Sequence, residues 1–334
     1  MPKRYLITGG AGFIGSNFVE RILDVGATRV VTVDVLTYAG SLDNLAFCTY
    51  DARHRFVKAD VRDEETLLAL MRAEVPDCIV HFAAESHVDR SIAHAKVFES
   101  ANVAGTVALL EATKRYLSEA GERVKNFRFV HISTDEVYGD LPIDDTVTRF
   151  KENAPLRPSS PYAASKAAAD MFVLSYARTY HLPAIIVRMC NNYGPRQHAE
   201  KFIPKMIECA CEGKPLPVYG TGENVREWLH VSDACRAIEL IARKGRVGQT
   251  YNVSSNDAFS NNDVAHMVID AVYAANNGNA SAAPMPRIEY APDRLGHDRR
   301  YAIDATKIKR ELGWSAKIPL EQGLQAVVQT IVAH

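Results

Sequence analysis

The chain has 334 residues, 47% hydrophobic and 24% charged, enough for a large α/β core or two subdomains of roughly 100 to 200 residues each. Lys and Arg total 39 against 40 Asp and Glu, so no overall field recruits nucleic acid or an anionic membrane, and any basic site must be local. The start, Met1-Pro2-Lys3-Arg4, precedes too short an apolar run for a signal peptide, and no stretch approaches the ~18 apolar residues of a membrane span, so a cytoplasmic location is expected. The six cysteines, Cys48, Cys78, Cys190, Cys209, Cys211 and Cys235, show neither zinc spacing nor a paired framework. They are expected to be reduced and structural, and no metal is expected.

Taken in order, Tyr5 to Thr8 reads as a strand, glycines follow at 9, 12 and 15, and Ser16 to Leu23 continues as an amphipathic helix. Such a turn lets a pyrophosphate approach the backbone and meet free N–H groups at the helix start. A second strand, Arg29 to Val33, ends in Asp34, where an acid hydrogen-bonds the adenosine ribose. Asp34 also repels a 2′-phosphate, and Val35 to Tyr50 contains no Lys or Arg to neutralise one, which favours NAD over NADP. A third strand, Arg55 to Ala59, runs into Asp60 and Val61 beside the adenine. A fourth, Asp77 to Phe82, runs into the polar loop Ala83 to Arg90. His87 in that loop lacks metal-spaced partners and is given a positioning role at most. Val97 to Leu117 has helical spacing throughout.

Phe127 to Ile132 is a short buried strand that delivers Ser133, Thr134, Asp135 and Glu136 to its carboxyl end. In a continuing strand the two acids would point to opposite faces, so the strand must stop by Thr134 and the chain turn, with Gly139 suiting the break. Ser160 and Pro161 then start a helix that runs to Tyr180. It sets Tyr162 and Lys166 one turn apart, where the ammonium can lower the phenol from its reference near ~10 toward neutrality. Spacing alone favours an ordinary surface pair; the acids and the glycine turn reverse that in favour of chemistry.

After a strand at Ala184 to Met189, Gly213 to Gly222 reads as an exposed connection. Glu227 to Val231 and Gln249 to Val253 are strands flanking a helix from Ser232 to Lys244, so the chain is expected to rejoin the sheet there. Ala274 to Pro286 reads as a loop, and Asp304 and Gly313 bound a helix. Arg226, Arg294, Arg299 and Arg300 suit a diphosphate, although solvated surface charge explains Arg299 or Arg300 equally well. The fold expected is α/β, a Rossmann-like doubly wound parallel sheet with a smaller, discontinuous C-terminal substrate subdomain. Residues 1–190 would bind NAD and be rejoined by about 223–256, leaving 191–222 and 257–334 for the substrate.

These residues together resemble the extended short-chain dehydrogenase/reductase family, and within it the dTDP-glucose 4,6-dehydratases. The resemblance covers nearly the whole chain and is most specific at Ser133 to Gly139, Ser-Thr-Asp-Glu-Val-Tyr-Gly. It implies a cofactor site of Gly9, Gly12, Phe13, Ile14, Gly15, Asp34, Leu36, Thr37, Asp60, Val61, Phe82, Ala83, Ala84, Ser86, Tyr162, Lys166 and Asn192. For the sugar nucleotide it implies Ser86, Thr134, Asn191, Lys201, Phe202, Val218, Tyr219, Arg226, Asn261, Arg294 and His297. Two positions depart from the family pattern, Ala101 for a threonine and Ala199 for a proline. The implied chemistry is dehydration of dTDP-glucose in a homodimer. Tyr162 with Lys166 would take the C4 hydroxyl proton as hydride passes to NAD, Thr134 would steady the carbonyl, Glu136 would take the C5 proton, Asp135 would protonate the departing C6 hydroxyl, and hydride would return to C6. A UDP-glucose 4,6-dehydratase and a UDP-sugar 4-epimerase are the alternatives within the family; an epimerase needs no acid at position 135.

Overall fold

Short β-branched strands buried on both faces alternate with helices of period 3.6, a pattern that builds a parallel sheet covered on both sides. A computed structural model describes residues 2–275 and 286–332. Its first half runs β1 (Arg4–Thr8), α1 (Phe13–Asp24), β2 (Arg29–Asp34), β3 (His54–Lys58), α2 (Glu64–Glu74), β4 (Cys78–His81), α3 (Val88–Ala93), α4 (Ala95–Phe98), α5 (Gly105–Ala120), β5 (Arg128–Thr134), α6 (Pro161–Thr179) and β6 (Ala184–Met189). Beyond it come β7 (Asn191–Tyr193), α7 (Phe202–Cys211), β8 (Leu216–Tyr219), β9 (Val225–His230), α8 (Val231–Lys244), β10 (Thr250–Val253), β11 (Ala258–Ser260), α9 (Asn261–Ala275), β12 (Ile288–Ala291), α10 (Thr306–Leu312) and α11 (Leu320–Val332).

Seven strands form one sheet in the order β10-β6-β5-β4-β1-β2-β3, every neighbouring pair parallel. This is the doubly wound sheet expected. The order reverses between β1 and β4, so a crevice opens at the carboxyl ends of those strands. Helices α1 and α8 pack together in one layer, and α2, α5 and α6 in the other. Alternation divides the core: on β5, Val130 and Ile132 join Phe18, Ile22 and Ile238, while Phe129 joins Leu67, Leu109 and Val173. A third cluster, around Ile203, Trp228, Val268 and Leu324, ties α7, β9, α9 and α11 together apart from the large sheet.

Four expectations change. The strand at Glu227 to Val231 spans Val225–His230 and does not enter the large sheet; it lies between β7 and β11 in a three-stranded sheet, and only β10 returns to β6. Trp228 on β9 stacks on Phe202, which draws the strand to the third cluster. The supposed connection at Gly213 to Gly222 holds β8, paired to β12, with Leu216 and Val218 buried and Pro217 facing out. Proline, tolerated on a short edge strand, hid that alternation. The helix at Val97 to Leu117 is interrupted by a π-type stretch over Glu99–Ala104, where the buried Asn102 side chain bonds both backbone groups of Glu85 and the Ser165 hydroxyl. Finally, Ala274 and Ala275 close α9, and residues 276–285 of the proposed loop lie outside the described residues. At α10 the expected stop at Gly313 is seen, and Asp304 accepts from the Thr306 N–H.

One buried ion pair fastens α6 to the sheet. Asp170, fully enclosed, accepts from Arg188 Nε on β6 at 2.8 Å, and Arg188 reaches on to the Tyr138 hydroxyl at 2.9 Å. Removing one partner strands the other charge out of water, at a usual cost of about 3 to 5 kcal/mol, whereas an apolar pair leaves neither. Arg188→Met alone is therefore expected to lower the urea midpoint sharply, and adding Asp170→Leu to recover much of that loss.

Candidate active site

A cleft of about 710 Å³ opens where the sheet order reverses. Its floor is the glycine turn after β1. Gly9 holds φ +70°, and a Cβ there would stand 2.4 Å from the Ala83 nitrogen, so only glycine lets the two loops meet. No side chain caps the start of α1, whose first amides are left for an anion. Asp34 closes this end: its carboxylate accepts from the Ala11 and Leu36 N–H groups at 3.0 and 2.9 Å, leaving lone pairs for a ribose. Burial raises its pKa, partly offset by those amides.

At the other end β5 stops at Thr134 and the chain tightens into a 3₁₀ turn over Asp135–Tyr138. Gly139 ends it at φ +87°, where a Cβ would lie 2.2 Å from the Arg157 carbonyl oxygen. The turn brings both acids to the one cleft, as the adjacent pair required. Thr134 Oγ1 caps it, accepting from the Glu136 N–H at 3.3 Å and donating to Asp135 Oδ1 at 3.3 Å. Asp135 Oδ2 and Glu136 Oε2 are sealed from solvent without a partner among the described residues.

The two acids are not equivalent. Burial, then the charges of Glu136 and Glu227, drive Asp135 well above the carboxylate range. Glu136 is also raised by burial, but Arg294, Arg226 and Lys201 face it and pull the other way. Glu227, on β9, was missed in the sequence; it is fully buried, paired with Arg149 and bonded to the Ser254 hydroxyl at 2.6 Å. Its signal was an acid between Arg226 and Trp228 in a short strand that also carries Val225 and Leu229.

Ser160 caps α6, accepting from the Ala163 N–H, and Tyr162 and Lys166 line the cleft one turn apart. Lys166 is buried, donates to the Ile132 carbonyl at 2.7 Å, and has its pKa lowered to about 8 by burial, against the opposing charge of Asp170. The expectation of a phenol tuned toward neutrality by this lysine is not met. Burial, followed by the charge of Glu136, raises Tyr162, and the nearby Thr134 hydroxyl offsets only part of the rise. The ammonium is engaged with a backbone carbonyl, so desolvation of the phenolate dominates.

Gly9, Gly12, Phe13, Ile14, Gly15, Asp34, Thr37, Asp60, Val61, Phe82, Ala83, Ala84, Ser86, Asn191, Asn192 and Lys201 all line this cleft, as does Ala101. Leu36 sits behind it, at φ +57°. Phe202, Val218, Tyr219, Arg226, Asn261, Arg294 and His297 do not line it. Val218 and Phe202 instead belong to the third core cluster, and Asn261 is buried at the start of α9. Tyr219, Arg294 and His297 form a patch beside the cleft: the Tyr219 hydroxyl donates to Asp89 at 3.2 Å, Arg294 lies 3.7 Å from Asp89, and the Tyr219 and His297 rings meet edge to face. Arg226 lies over the Tyr301 ring at 4.1 Å and donates to the Asp298 carbonyl. Arg300 is spent on the Thr148 carbonyl, and Arg299 is exposed. His87 caps α3 and lies 3.6 Å from Glu200. Gln197 and His198 also reach the cleft, from a loop whose sequence carried no sign of it.

The model of the family described as GDP-mannose 4,6 dehydratase matches residues 6–327. The low-salt glycan biosynthesis protein Agl12 of Haloferax volcanii is 49% identical over 323 residues, 97% of this chain and 96% of that protein. A dTDP-glucose 4,6-dehydratase of Salmonella typhimurium is 45% identical over 338 residues, 99% of this chain and 93% of that protein. The crystal structure of DesIV, a dTDP-glucose 4,6-dehydratase from Streptomyces venezuelae with NAD and TYD bound, superposes with a TM-score of 0.89 at 43% identity, covering 99% of this chain and 97% of that one.

Asp135, buried, and Glu136, half-buried, both with raised pKa values, oppose folding whenever the unfolded chain ionises them, that is, above their unfolded values of about 4. Asp135→Asn and Glu136→Gln are each expected to stabilise the fold at neutral pH by an amount on the order of 1 to 3 kcal/mol, and so to raise the thermal midpoint. The gain should fade as pH falls to about 4, where both states are protonated. Thermal scans across pH check this.

Proposed function

The chain belongs to the family described as GDP-mannose 4,6 dehydratase, and from that premise we propose that it removes water from dTDP-glucose to give dTDP-4-keto-6-deoxyglucose, as an NAD-dependent hydro-lyase. What carries this reading is the buried Asp135 and the half-buried Glu136, turned into the same cleft as Tyr162 and Lys166. A 4-epimerase has no use for two acids there.

The residues present fit NAD. Gly9 and the open amides of α1 suit the pyrophosphate, Asp34 the adenosine ribose, and Tyr162 and Lys166 the nicotinamide end. When bound, that cofactor supplies a hydride acceptor for C4 and a donor for C6. The chain's own residues do the rest. A C5 proton is too weakly acidic to be removed until C4 is a ketone, so Tyr162 acts first and takes the C4 hydroxyl proton; the positive charges of Lys166 and of a bound nicotinamide would have to offset the burial that raises the phenol, and Thr134 would steady the oxygen. Glu136, raised by burial yet faced by three cations, is a base placed to take the acidified C5 proton. Asp135, held protonated, delivers its proton to the departing C6 hydroxyl.

The diphosphate is assigned to Arg226 and Arg294, and the base end to the side of the cleft bearing Tyr219, His297, Asn261, Phe202 and Val218. Lys201, which donates to the Ser86 carbonyl at 2.9 Å, bridges that side to the cofactor loop. In domain terms, residues 1–190 with α8 and β10 form the cofactor part, and the rest forms the substrate part. Among the described residues no helix is long and apolar enough to cross a membrane, and a cytoplasmic enzyme is in keeping with that.

A homodimer is supported by the apolar side chains exposed on α4 and α6, Val97, Met171 and Phe172, with Tyr180 just beyond. Sedimentation at working concentration is expected to give twice the chain mass; a monomer defeats the dimer and leaves the chemistry untouched.

Glu136→Gln is expected to part oxidation from elimination, since an amide cannot accept the C5 proton. Turnover should fall by about 10² to 10⁴-fold, with a 4-keto sugar that keeps its C6 hydroxyl accumulating on the enzyme. Tyr162→Phe should give no keto sugar. Mass spectrometry of quenched mixtures decides, and near-normal loss of water by the Glu136 variant moves the base elsewhere.

A further inference from the structure

Three strands, β5, β4 and β1, separate β2 from β6 in the sheet, and β7 follows β6 after one residue. The loop after β2 and the chain leaving β6 therefore start about 19 Å apart, on either side of the glycine turn. Their side chains nevertheless meet. The Tyr38 ring, in the loop after β2, touches the His198 ring, in the loop after β7, edge to face with centroids 5.6 Å apart. The Arg90 guanidinium, from α3, lies over the same Tyr38 ring at 3.7 Å and donates to Glu200 at 3.1 Å. His87 Nε2 stands 3.6 Å from that carboxylate. Segments that follow three different strands are thus joined around one aromatic ring.

Both ends of this bridge are rooted on the glycine turn and the helix it starts. On one side the Ser41 N–H and the Asn44 side chain donate to the Ala11 carbonyl at 3.1 and 2.8 Å. On the other, Asn17 on α1 donates to the Pro195 carbonyl at 3.0 Å, and Arg196 donates to the side chains of Asn17 and Glu20. Thr37, Ala39 and His198 line the cleft, so the contacts between them run along its mouth. A cofactor laid from Asp34 to Tyr162 has the glycine turn beneath it and the bridge across it. The Tyr38 hydroxyl is sealed without a partner among the described residues, which leaves the ring as the part of Tyr38 that the bridge uses. A lone exposed ion pair contributes little, but here the guanidinium is also stacked and the acid is mostly covered.

We propose that Tyr38, Arg90 and Glu200 form a strap across the cofactor cleft that must open for NAD to leave or enter, so that these positioning residues set how long the cofactor stays. The inference rests on the NAD-dependent reading of the cleft. Its chemical sense lies in the hydride cycle: hydride taken from C4 has to return to C6 of the same sugar, and a cofactor that left between the two steps would strand the oxidised sugar. The strap's contacts are made by protein atoms alone, so breaking them lowers the barrier in both directions and leaves affinity nearly unchanged. A residue that only touched the cofactor would behave otherwise. Its loss would speed exit, leave entry alone and weaken affinity by the same factor.

The test follows the cofactor itself. Holoenzyme carrying radiolabelled NAD is chased with excess unlabelled NAD to give the release rate, and equilibrium dialysis of the same holoenzyme gives the dissociation constant. Release rate divided by that constant is the entry rate. Tyr38→Ala and Arg90→Ala are expected to speed release and entry alike, each by about tenfold, the weight of a well-placed cation–π contact. Their dissociation constants should stay within about threefold of the wild type, since the two rates move together. Glu200→Gln should speed both rates by about twofold to fivefold, as suits one partly exposed ion pair. Tyr38→Phe, which keeps the ring, should match the wild type. Arg90→Met replaces alanine if that variant does not fold. Faster release with unchanged entry reduces the three to ordinary cofactor contacts, and unchanged release puts the bridge off the exit path; either result overturns the strap. Wild-type protein that takes up no NAD overturns the cofactor reading instead.

Discussion

A carboxylate taken out of water holds its proton more tightly, and two placed side by side do so more tightly still. The site is organised around that cost at Asp135 and Glu136. Ending β5 at Thr134 turns both acids the same way; the surroundings then make them unlike. Glu227 stands behind Asp135 with its own negative charge, and Arg226, Arg294 and Lys201 stand before Glu136. One acid is pushed toward the neutral form that donates, the other is drawn back toward the anion that accepts. Acid and base roles follow from environment, since side-chain type hardly separates the two.

The helix that carries Tyr162 is held by a second buried charge set on the same face. Asp170 follows Lys166 by one turn, pairs with Arg188, and lies 3.4 Å from His131 Nε2. His131 is fully buried with its pKa lowered to about 4, first by burial and then by Lys166, so it stays neutral at physiological pH. Asp170 is then the anion opposing the burial that strips charge from Lys166. Packing, through Asp170 and Arg188, and electrostatics, through Asp170 and Lys166, pass through one residue.

The fold was legible where a local rule sufficed. The glycine turn, Asp34 at the end of β2, the break after Thr134 and the serine cap of α6 are each set by neighbours in sequence. What escaped depends on distant partners. No local pattern tells β9 to pair with β7 rather than the large sheet, because Trp228 settles it by stacking on a residue 26 positions earlier, Phe202. Nothing local tells whether Arg300 faces a ligand or the protein; its bonds to the distant Thr148 carbonyl settle that. The phenol misled for a related reason: helical spacing shows that Lys166 is near, but burial, which outweighs it, comes from the whole site.

The cleft wall and the substrate patch come from different sheets, and this has a chemical consequence within the dehydratase reading. Arg226 belongs to β9 and Arg294 to the loop after β12, yet both face Glu136 on the turn after β5. Their charges lower its pKa while they are uncompensated. A diphosphate seated on the two arginines neutralises much of that field, so the carboxylate becomes a stronger base when a sugar nucleotide is in place. The residues that hold the substrate thereby also ready the base, and a free site keeps Glu136 closer to an ordinary ionised carboxylate, whose burial costs less when cations are near.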